Sequence, residues 1–400
     1  MGAERPAQLA QYVVPISIPV LDAPKGRLLL MYHIAFMMLP EPGHILPTLQ
    51  VARRLQARGH RVSYVSLPSL AAFFTGSGFE FIPIMAGVCD WPATDDIFHA
   101  PSGVTFQQCL LSYLGRTGAT LYDLLVPPMR CITIDVLVCD SVLLHNLHFP
   151  FHRHIAAPVV SLSVYLPYFP LKDLGVREII LCPIEFEIPS AANSLLDHGR
   201  MAFAEPSLFE KRNPVEFPWN RLKPDRLLVL CSFGTQTLRY PDRERALHSV
   251  LEAMAQLPQC QLVLSGKPAS RDIRDMLQRC TDAIVAPVIP QIGILRCASL
   301  FITHGGMGGL KEAVMNGVPI LVVPFDLDQP RNAKRVVHHR LGRACRPQDC
   351  TGPRVRGLIE DILTDSVIHG KMSAMRAVFW THELVQPSVP YLEAVAAGAL

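Results

Sequence analysis

Twice along this chain, short apolar runs of strand length alternate with segments of helical spacing, and the runs show no polar alternation. Strands with no wet side are covered on both faces, which is the signature of parallel sheets sandwiched between helices. In the first half the runs are Ile34–Leu39, Arg61–Ser66, Phe79–Ile84, Val136–Cys139 and Val159–Val164. Between the first two, Ile45, Leu49, Ala52 and Leu55 fall at helical spacing and Gly59 supplies the stop. The pattern restarts with Leu227–Ser232, Gln261–Ser265, Ala283–Ala286, Leu300–Thr303 and Val318–Val323. Residues 183–226 carry prolines at 183, 189, 206, 214, 218 and 224 with little periodicity, which reads as linking chain. The predicted architecture is α/β. Two Rossmann-like, doubly wound domains, 1–205 and 227–400, are joined by 206–226, and the last helix is placed to pack back on the first domain. Ligands in such sheets bind at the carboxyl ends of the strands, so the expected site is the cleft between the two.

Composition removes several function classes. Half the residues are hydrophobic and 18% are charged, which excludes a disordered chain. A net charge of +3 gives no reason to expect a nucleic-acid partner. Eleven cysteines occur with no C-x-x-C pair, so neither a disulfide framework nor a zinc ribbon is expected, and a reducing cytoplasm is the simpler setting. The apolar stretch Leu28–Leu39 contains His33 and falls short of the about 20 residues that cross a bilayer. Pro40-Glu41-Pro42-Gly43 follows it as a turn, so neither a transmembrane segment nor a cleavable signal is expected.

The strongest local motif is Phe301-Ile302-Thr303-His304-Gly305-Gly306-Met307-Gly308-Gly309, followed by Leu310-Lys311-Glu312-Ala313. A strand running through glycines into a helix presents backbone N–H groups and a dipole to an anion. His304 at the strand end can donate to a phosphate oxygen, and Glu312 lies within reach of a hydroxyl such as a ribose. Neither G-x-G-x-x-G nor the P-loop spacing is present, so the loop suggests a phosphate without naming its owner. The plain alternative is a glycine-eased turn with no ligand.

Downstream, Val323-Pro324-Phe325 leads to Asp326, Asp328, Gln329 and Asn332. An acid and an amide together accept from and donate to vicinal hydroxyls, which suits a sugar. Asp326 and Asp328 also fit a Mg²⁺ or Mn²⁺ pair, and one of them fits a helix cap. In the first half, His44 follows one strand and Asp140 ends another, an arrangement that makes a base and its orienting carboxylate. His145, His148, His152 and His154 form a dense group, but Pro150 interrupts it and no acid or cysteine is near. The basic run Arg331, Lys334, Arg335, His338 and His339 reads as a solvated helix face. No G-x-S-x-G or H-E-x-x-H is present.

From Ala286-Pro287-Val288-Ile289-Pro290-Gln291 through Thr303-His304-Gly305-Gly306, Glu312-Ala313, Gly317-Val318-Pro319, Pro324, Asp328-Gln329 and Asn332-Ala333, the chain resembles the UDP-glycosyltransferase superfamily. This is glycosyltransferase family 1, with the two-domain GT-B fold, and the bacterial enzymes acting on macrolides and other natural products are the nearest in pattern. Gly43-His44-Ile45-Leu46-Pro47, Arg58-Gly59-His60-Arg61-Val62, Cys139-Asp140 and Ser232-Phe233-Gly234-Thr235 extend the likeness to residues 33–384. The resemblance implies that His44 is the general base toward the acceptor hydroxyl and Asp140 its partner. It places Ile289 and Gln291 at the base and ribose, Glu312 on the ribose, and His304, Gly306, Gly308 and Gly309 at the diphosphate. It also puts Asp328 and Gln329 on the sugar hydroxyls and Thr235 beside the donor. The implied activity is inverting transfer of a hexose from a UDP- or dTDP-sugar to an apolar small molecule, with no cofactor and no metal. Val288 stands where the family often has tryptophan, and Gly309 where it often has serine or threonine. Those departures motivate a competing reading, a non-catalytic nucleotide-sugar-binding accessory protein.

Aromatic residues among prolines in Met85–Arg130 (Trp91, Phe98, Phe106, Tyr113) and in Ser163–Leu181 (Tyr165, Tyr168, Phe169) are expected to wall an acceptor pocket. Their alternative role is to fill the first domain's core.

Overall fold

The computed structural model describes residues 31–88, 106–146, 151–164, 175–189, 201–208, 215–234, 240–266, 270–280 and 282–400. The first half runs β1 (His33–Met37), α1 (Pro42–Ala57), β2 (Arg61–Ser66), α2 (Ala71–Gly76), β3 (Glu80–Pro83), α3 (Phe106–Thr117), α4 (Leu121–Arg130), β4 (Val136–Asp140), α5 (Ser141–Asn146), β5 (Val159–Ser163), β6 (Arg177–Ile180) and β7 (Met201–Phe203). The second runs β8 (Leu227–Ser232), α6 (Arg243–Met254), β9 (Cys260–Ser265), α7 (Arg271–Arg279), β10 (Ile284–Ala286), α8 (Gln291–Leu295), β11 (Leu300–Thr303), α9 (Met307–Asn316), β12 (Ile320–Val322), α10 (Gln329–His338) and β13 (Gly342–Ala344). Three helices follow: α11 (Gly352–Thr364), α12 (Ser366–Val385) and α13 (Ser388–Ala396).

Each half forms its own parallel sheet. The orders are β3-β2-β1-β4-β5-β6-β7 and β10-β9-β8-β11-β12-β13. Ile34 pairs with Val62 on one side and Val136 on the other, and Ile302 pairs with Cys231 and Leu321. The order reverses between β1 and β4 in one sheet and between β8 and β11 in the other. At such points the connections leave toward opposite faces, and a crevice opens at the strand ends.

Both faces of each sheet are dry. Phe36, Tyr64 and Val138 pack with Leu49 of α1 on one face of the first sheet, while Met37, Val65 and Leu137 meet Leu125 and Met129 of α4 on the other. In α13, Val389, Leu392 and Val395 join the core built around Phe36, so the end of the chain completes the first sheet's cover. The segment after β6 goes the opposite way: Cys182 and Phe186 pack with Phe301, Met315 and Phe379 in the second half.

Strands β6, β7 and β13 have no counterpart in the apolar-run pattern. They are three or four residues long, and β6 begins Arg177-Glu178, so neither length nor polarity marks them as strands. Their position beside a strand already in the sheet makes them strands, which is tertiary context overriding local preference.

Candidate active site

His44 and Asp140 meet at the first switch point. Pro42 opens α1 at a position where a missing N–H costs nothing, and this sets His44 in the first turn, pointing back to the strand ends. Asp140 is the last residue of β4 and is 1% exposed. Its Oδ2 accepts from His44 Nδ1 at 2.8 Å and from the Leu39 amide at 3.3 Å, and its Oδ1 accepts from the Val142 amide at 2.8 Å. Both carboxylate oxygens are thus held in place, which fixes the imidazole they orient. Burial alone would push the His44 pKa down. The charge and hydrogen bond of Asp140, with Glu41 and Asp328 adding, overcome it and leave the histidine above its ordinary value.

Asp328 comes from the other half. Burial raises its carboxyl, and the Asn332 hydrogen bond, Arg335 and His44 pull partly the other way. The mutual influence of His44 and Asp328 sets the two halves of the site against each other across the cleft.

The second switch point carries His304 and the glycine loop. His304 directly follows β11, and its ring fills the space above Gly234 and Gly306. A Cβ at Gly234 would lie 2.6 Å from the ring, and one at Gly306 would overlap it. Gly305 turns the chain at φ +88°. Helix α9 then starts from Gly306 with no side-chain cap, so its first amides are left for a ligand. Gly308 has open space where a side chain would be, whereas a Cβ at Gly309 would meet the Phe301 ring at 3.3 Å. Phe301 therefore occupies the room that a serine or threonine would need. Burial lowers the His304 pKa to about 4, against a Ser232 backbone hydrogen bond that raises it, so the resting imidazole is neutral. Its contribution to an anion is a donor N–H. The positive field belongs to the helix terminus.

Gln291 and Glu312 are brought together: Gln291 Nε2 donates to Glu312 Oε2 at 2.6 Å. Ile289, two residues before Gln291, is buried. At the third corner, Asn332 Nδ2 donates to Asp328 Oδ2 at 2.7 Å and to the Gly305 carbonyl at 2.8 Å. Gln329 is committed to the loop before it. Its Oε1 accepts from the Phe325 and Asp326 amides at 2.8 and 3.2 Å, and its Nε2 donates to the Tyr240 hydroxyl at 2.8 Å. Tyr240 stacks on Phe325 with centroids 4.9 Å apart, so the Gln329 amide and this aromatic pair brace the turn that delivers Asp328. Asp326 is exposed while Asp328 is bonded to Asn332. Among the described residues no three His, Cys, Asp or Glu side chains gather as a metal-binding group.

A small apolar hollow of about 10 Å³, room for no more than about one water, opens at the ends of β1, β2 and β3, lined by Met37, Met38, Val65, Ile84, Met85 and Phe106 among others. It lies beside Pro40, four residues before His44. Tyr113 packs partly buried against the same core. Trp91, Phe98, Tyr165, Tyr168, Phe169 and Thr235 lie outside the described residues, as do His148 and the side chains of His145 and His152. His154 sits edge-on to Tyr122 at 5.4 Å.

One expectation is corrected. Arg335 and His339 do not belong to a solvated face: Arg335 is 3% exposed and pairs with Glu187, and His339 Nε2 lies 3.2 Å from the Phe186 and Glu187 carbonyls. The signal was present in the spacing. Gln329, Asn332, Ala333 and Val336 form the buried stripe of α10, and Arg335 follows Asn332 by three.

Comparisons with known proteins bear on the fold and the enzyme class. The UDP-glucoronosyl and UDP-glucosyl transferase family matches residues 216–383. Demethyllactenocin mycarosyltransferase of Streptomyces fradiae is 26% identical over 398 residues, covering 86% of this chain and 82% of its own length. Oleandomycin glycosyltransferase of Streptomyces antibioticus is 23% identical, covering 86% of each. The crystal structure of the glycotransferase of kitacinnamycin superposes with a TM-score of 0.71 at 25% identity, over 92% of this chain and 99% of that one. The chain is a glycosyltransferase, and its second half matches that family. As a GT-B glycosyltransferase it has its two sheets face to face across the cleft, with His44 and Asp140 on one wall and the glycine loop on the other. No described helix of this transferase is long and apolar enough to cross a membrane.

Proposed function

We propose that this glycosyltransferase moves a hexose from a UDP- or dTDP-sugar to a hydroxyl of an apolar small molecule, with inversion at the anomeric carbon. The observation that carries the reading is the His44–Asp140 pair at 2.8 Å, held at the strand ends next to an apolar hollow and within the field of Asp328. With Nδ1 committed to Asp140, Nε2 bears the lone pair that takes the acceptor proton. The resulting oxygen attacks the anomeric carbon from the face opposite the diphosphate, while Asp328 accepts from sugar hydroxyls. His304 and the first amides of α9 stabilise the leaving diphosphate, and Gln291 and Glu312 hold the nucleoside. Because the helix terminus and the His304 donor already face the developing charge, the reaction in this reading needs no metal.

The acceptor class rests on the relatives and on the apolar surface beside Pro40. Methionine and phenylalanine side chains there offer few hydrogen bonds to a polysaccharide. The relatives named for mycarosyl transfer to demethyllactenocin and for oleandomycin support a natural-product substrate such as a macrolide, polyketide, terpenoid or phenol. A nucleotide-sugar donor supports a cytoplasmic setting for this reading. The test is an incubation with UDP- and dTDP-hexoses, with a promiscuous phenol and with a macrolide aglycone, in the presence and absence of EDTA. Acceptor-dependent diphosphate release that EDTA leaves unchanged is expected. A strict metal requirement, or preference for oligosaccharide acceptors, would contradict the reading.

A further inference from the structure

We propose that Arg335, clamped by Glu187, is a positioning residue for the donor sugar: it sets which way the Asn332 amide faces, and Asn332 in turn holds Asp328 and the glycine loop. The proposal rests on the reading of Asp328 as the ligand of the sugar hydroxyls.

The geometry is a relay of four side chains. Arg335 Nε and Nη2 donate to the two oxygens of Glu187 at 2.8 and 2.6 Å, a planar fork in which both residues are at most 4% exposed. The third arm, Nη1, donates to Asn332 Oδ1 at 2.7 Å. Asn332 is fully buried, and its Nδ2 divides its two hydrogens between Asp328 Oδ2 at 2.7 Å and the Gly305 carbonyl at 2.8 Å.

An amide side chain has two ends of similar shape and opposite polarity, and packing alone does not choose between them. Arginine does choose, because it has donors and no acceptor. Only the oxygen of Asn332 can face the guanidinium, so the nitrogen must face Asp328 and Gly305. A flipped amide would set its oxygen against a carboxylate and a carbonyl and its NH₂ against a cation. Arg335 thus fixes the polarity of the one group that ties the sugar-side acid to the loop carrying His304. Glu187 belongs to the chain leaving the first sheet after β6, so the clamp is anchored outside the donor domain's own helices. Replacing arginine by a residue that can also accept removes the choice, and Asp328 is released from its held position.

A merely structural ion pair would weaken every ligand alike, whereas a positioning role falls mainly on the sugar, because Gly305 is held a second time through its amide to Thr303 Oγ1 at 3.4 Å. The experiment compares binding of a UDP- or dTDP-hexose and of the matching free diphosphate by calorimetry, in wild type, Arg335→Gln, Asp328→Asn and the double variant. Asp328→Asn is expected to abolish the part of the affinity that depends on the sugar. Arg335→Gln is expected to lower the sugar-nucleotide affinity by about 10-fold or more, the size of a lost charge-assisted hydrogen bond. Its diphosphate affinity stays within roughly threefold of wild type, and adding it to Asp328→Asn changes the preference no further. Arg335→Lys, which keeps a cationic donor for Asn332, retains most of the preference and serves if the glutamine variant does not fold. Equal losses for both ligands, or a further loss in the Asp328→Asn background, would overturn the positioning role. An unaltered preference in Asp328→Asn would instead remove the underlying reading of Asp328.

Discussion

His44 donates through Nδ1 to Asp140 at 2.8 Å, although the two are 96 residues apart in the chain. They meet because β1 and β4 are neighbours, with Met37 beside Cys139, so a residue just beyond one strand faces the last residue of the other. That contact selects the tautomer whose Nε2 accepts a proton, and it raises the pKa of the base.

The pH profile carries that signature. In the proposed role His44 must be neutral to work, and its pKa lies above the ordinary 6.5, so kcat/KM is expected to rise with pH through a midpoint above that value. Asp140→Asn removes the charge that raises it and leaves burial, which lowers it. The midpoint then moves to lower pH while the rate falls by about 10²–10⁴-fold, since the amide cannot stabilise the imidazolium. Steady-state rates between pH 5 and pH 9 measure both, and a midpoint that stays in place in Asp140→Asn would show that another group titrates.

His304 predicts a proton uptake. With a pKa near 4 it is neutral in the resting protein at pH 5.5. A diphosphate against its ring favours the charged form, so its pKa rises on binding and protons are taken up. Calorimetry of UDP binding at pH 5.5 in buffers of different ionisation enthalpy is expected to show more uptake for wild type than for His304→Gln. The nucleotide's own titration is common to both, so an identical uptake would place the ring away from the phosphates.

In the proposed site, Gln291 and Glu312, bonded at 2.6 Å, form a nucleoside half that is separable from the sugar half. Glu312→Ala is expected to weaken the sugar nucleotide and the free diphosphate equally, by about 10–100-fold for a lost charged hydrogen bond. Competition binding with the two ligands decides, and a loss confined to the sugar nucleotide would move Glu312 out of the nucleoside site.

Much of this was legible because it is local. The apolar runs Arg61–Ser66, Leu227–Ser232 and Leu300–Thr303 coincide with strands, and the glycines after Thr303 end in a helix start, since period and turn chemistry are properties of neighbouring residues. What stayed hidden depends on distant partners. Arg335 reads as one more surface cation until Glu187, 148 residues away, is found against it. Gln329 reads as half of a sugar-binding pair, and only the fold shows the bonds its amide makes to the Phe325–Asp326 turn and to Tyr240. Nothing in the sequence marks Glu178 as buried, yet β6 carries it into the core, where Ser163 donates to one oxygen at 2.5 Å and the other has no partner among the described residues.

That buried acid yields a stability test. Burial raises the Glu178 pKa to about 7, against the Ser163 hydrogen bond, from an ordinary value of 4.5. The folded state therefore holds the proton more tightly than the unfolded one, and stability falls as pH rises from about 4.5 to about 7. Glu178→Gln keeps an acceptor for Ser163 and removes the titration. It is expected to stabilise the protein by about 2–3 kcal/mol at pH 8 and by little at pH 4.5. Denaturant titrations at the two pH values measure this, and equal effects at both would mean that the carboxyl is not desolvated.

The most direct test of the central claim is the anomeric configuration of the product. The wild-type enzyme is given an α-linked UDP- or dTDP-glucose and an accepted phenol or macrolide aglycone, and the glycoside is read by the proton coupling at its anomeric carbon. In-line attack by an oxygen deprotonated at His44 predicts the β-glycoside, formed in step with diphosphate release. An α-glycoside would contradict the account.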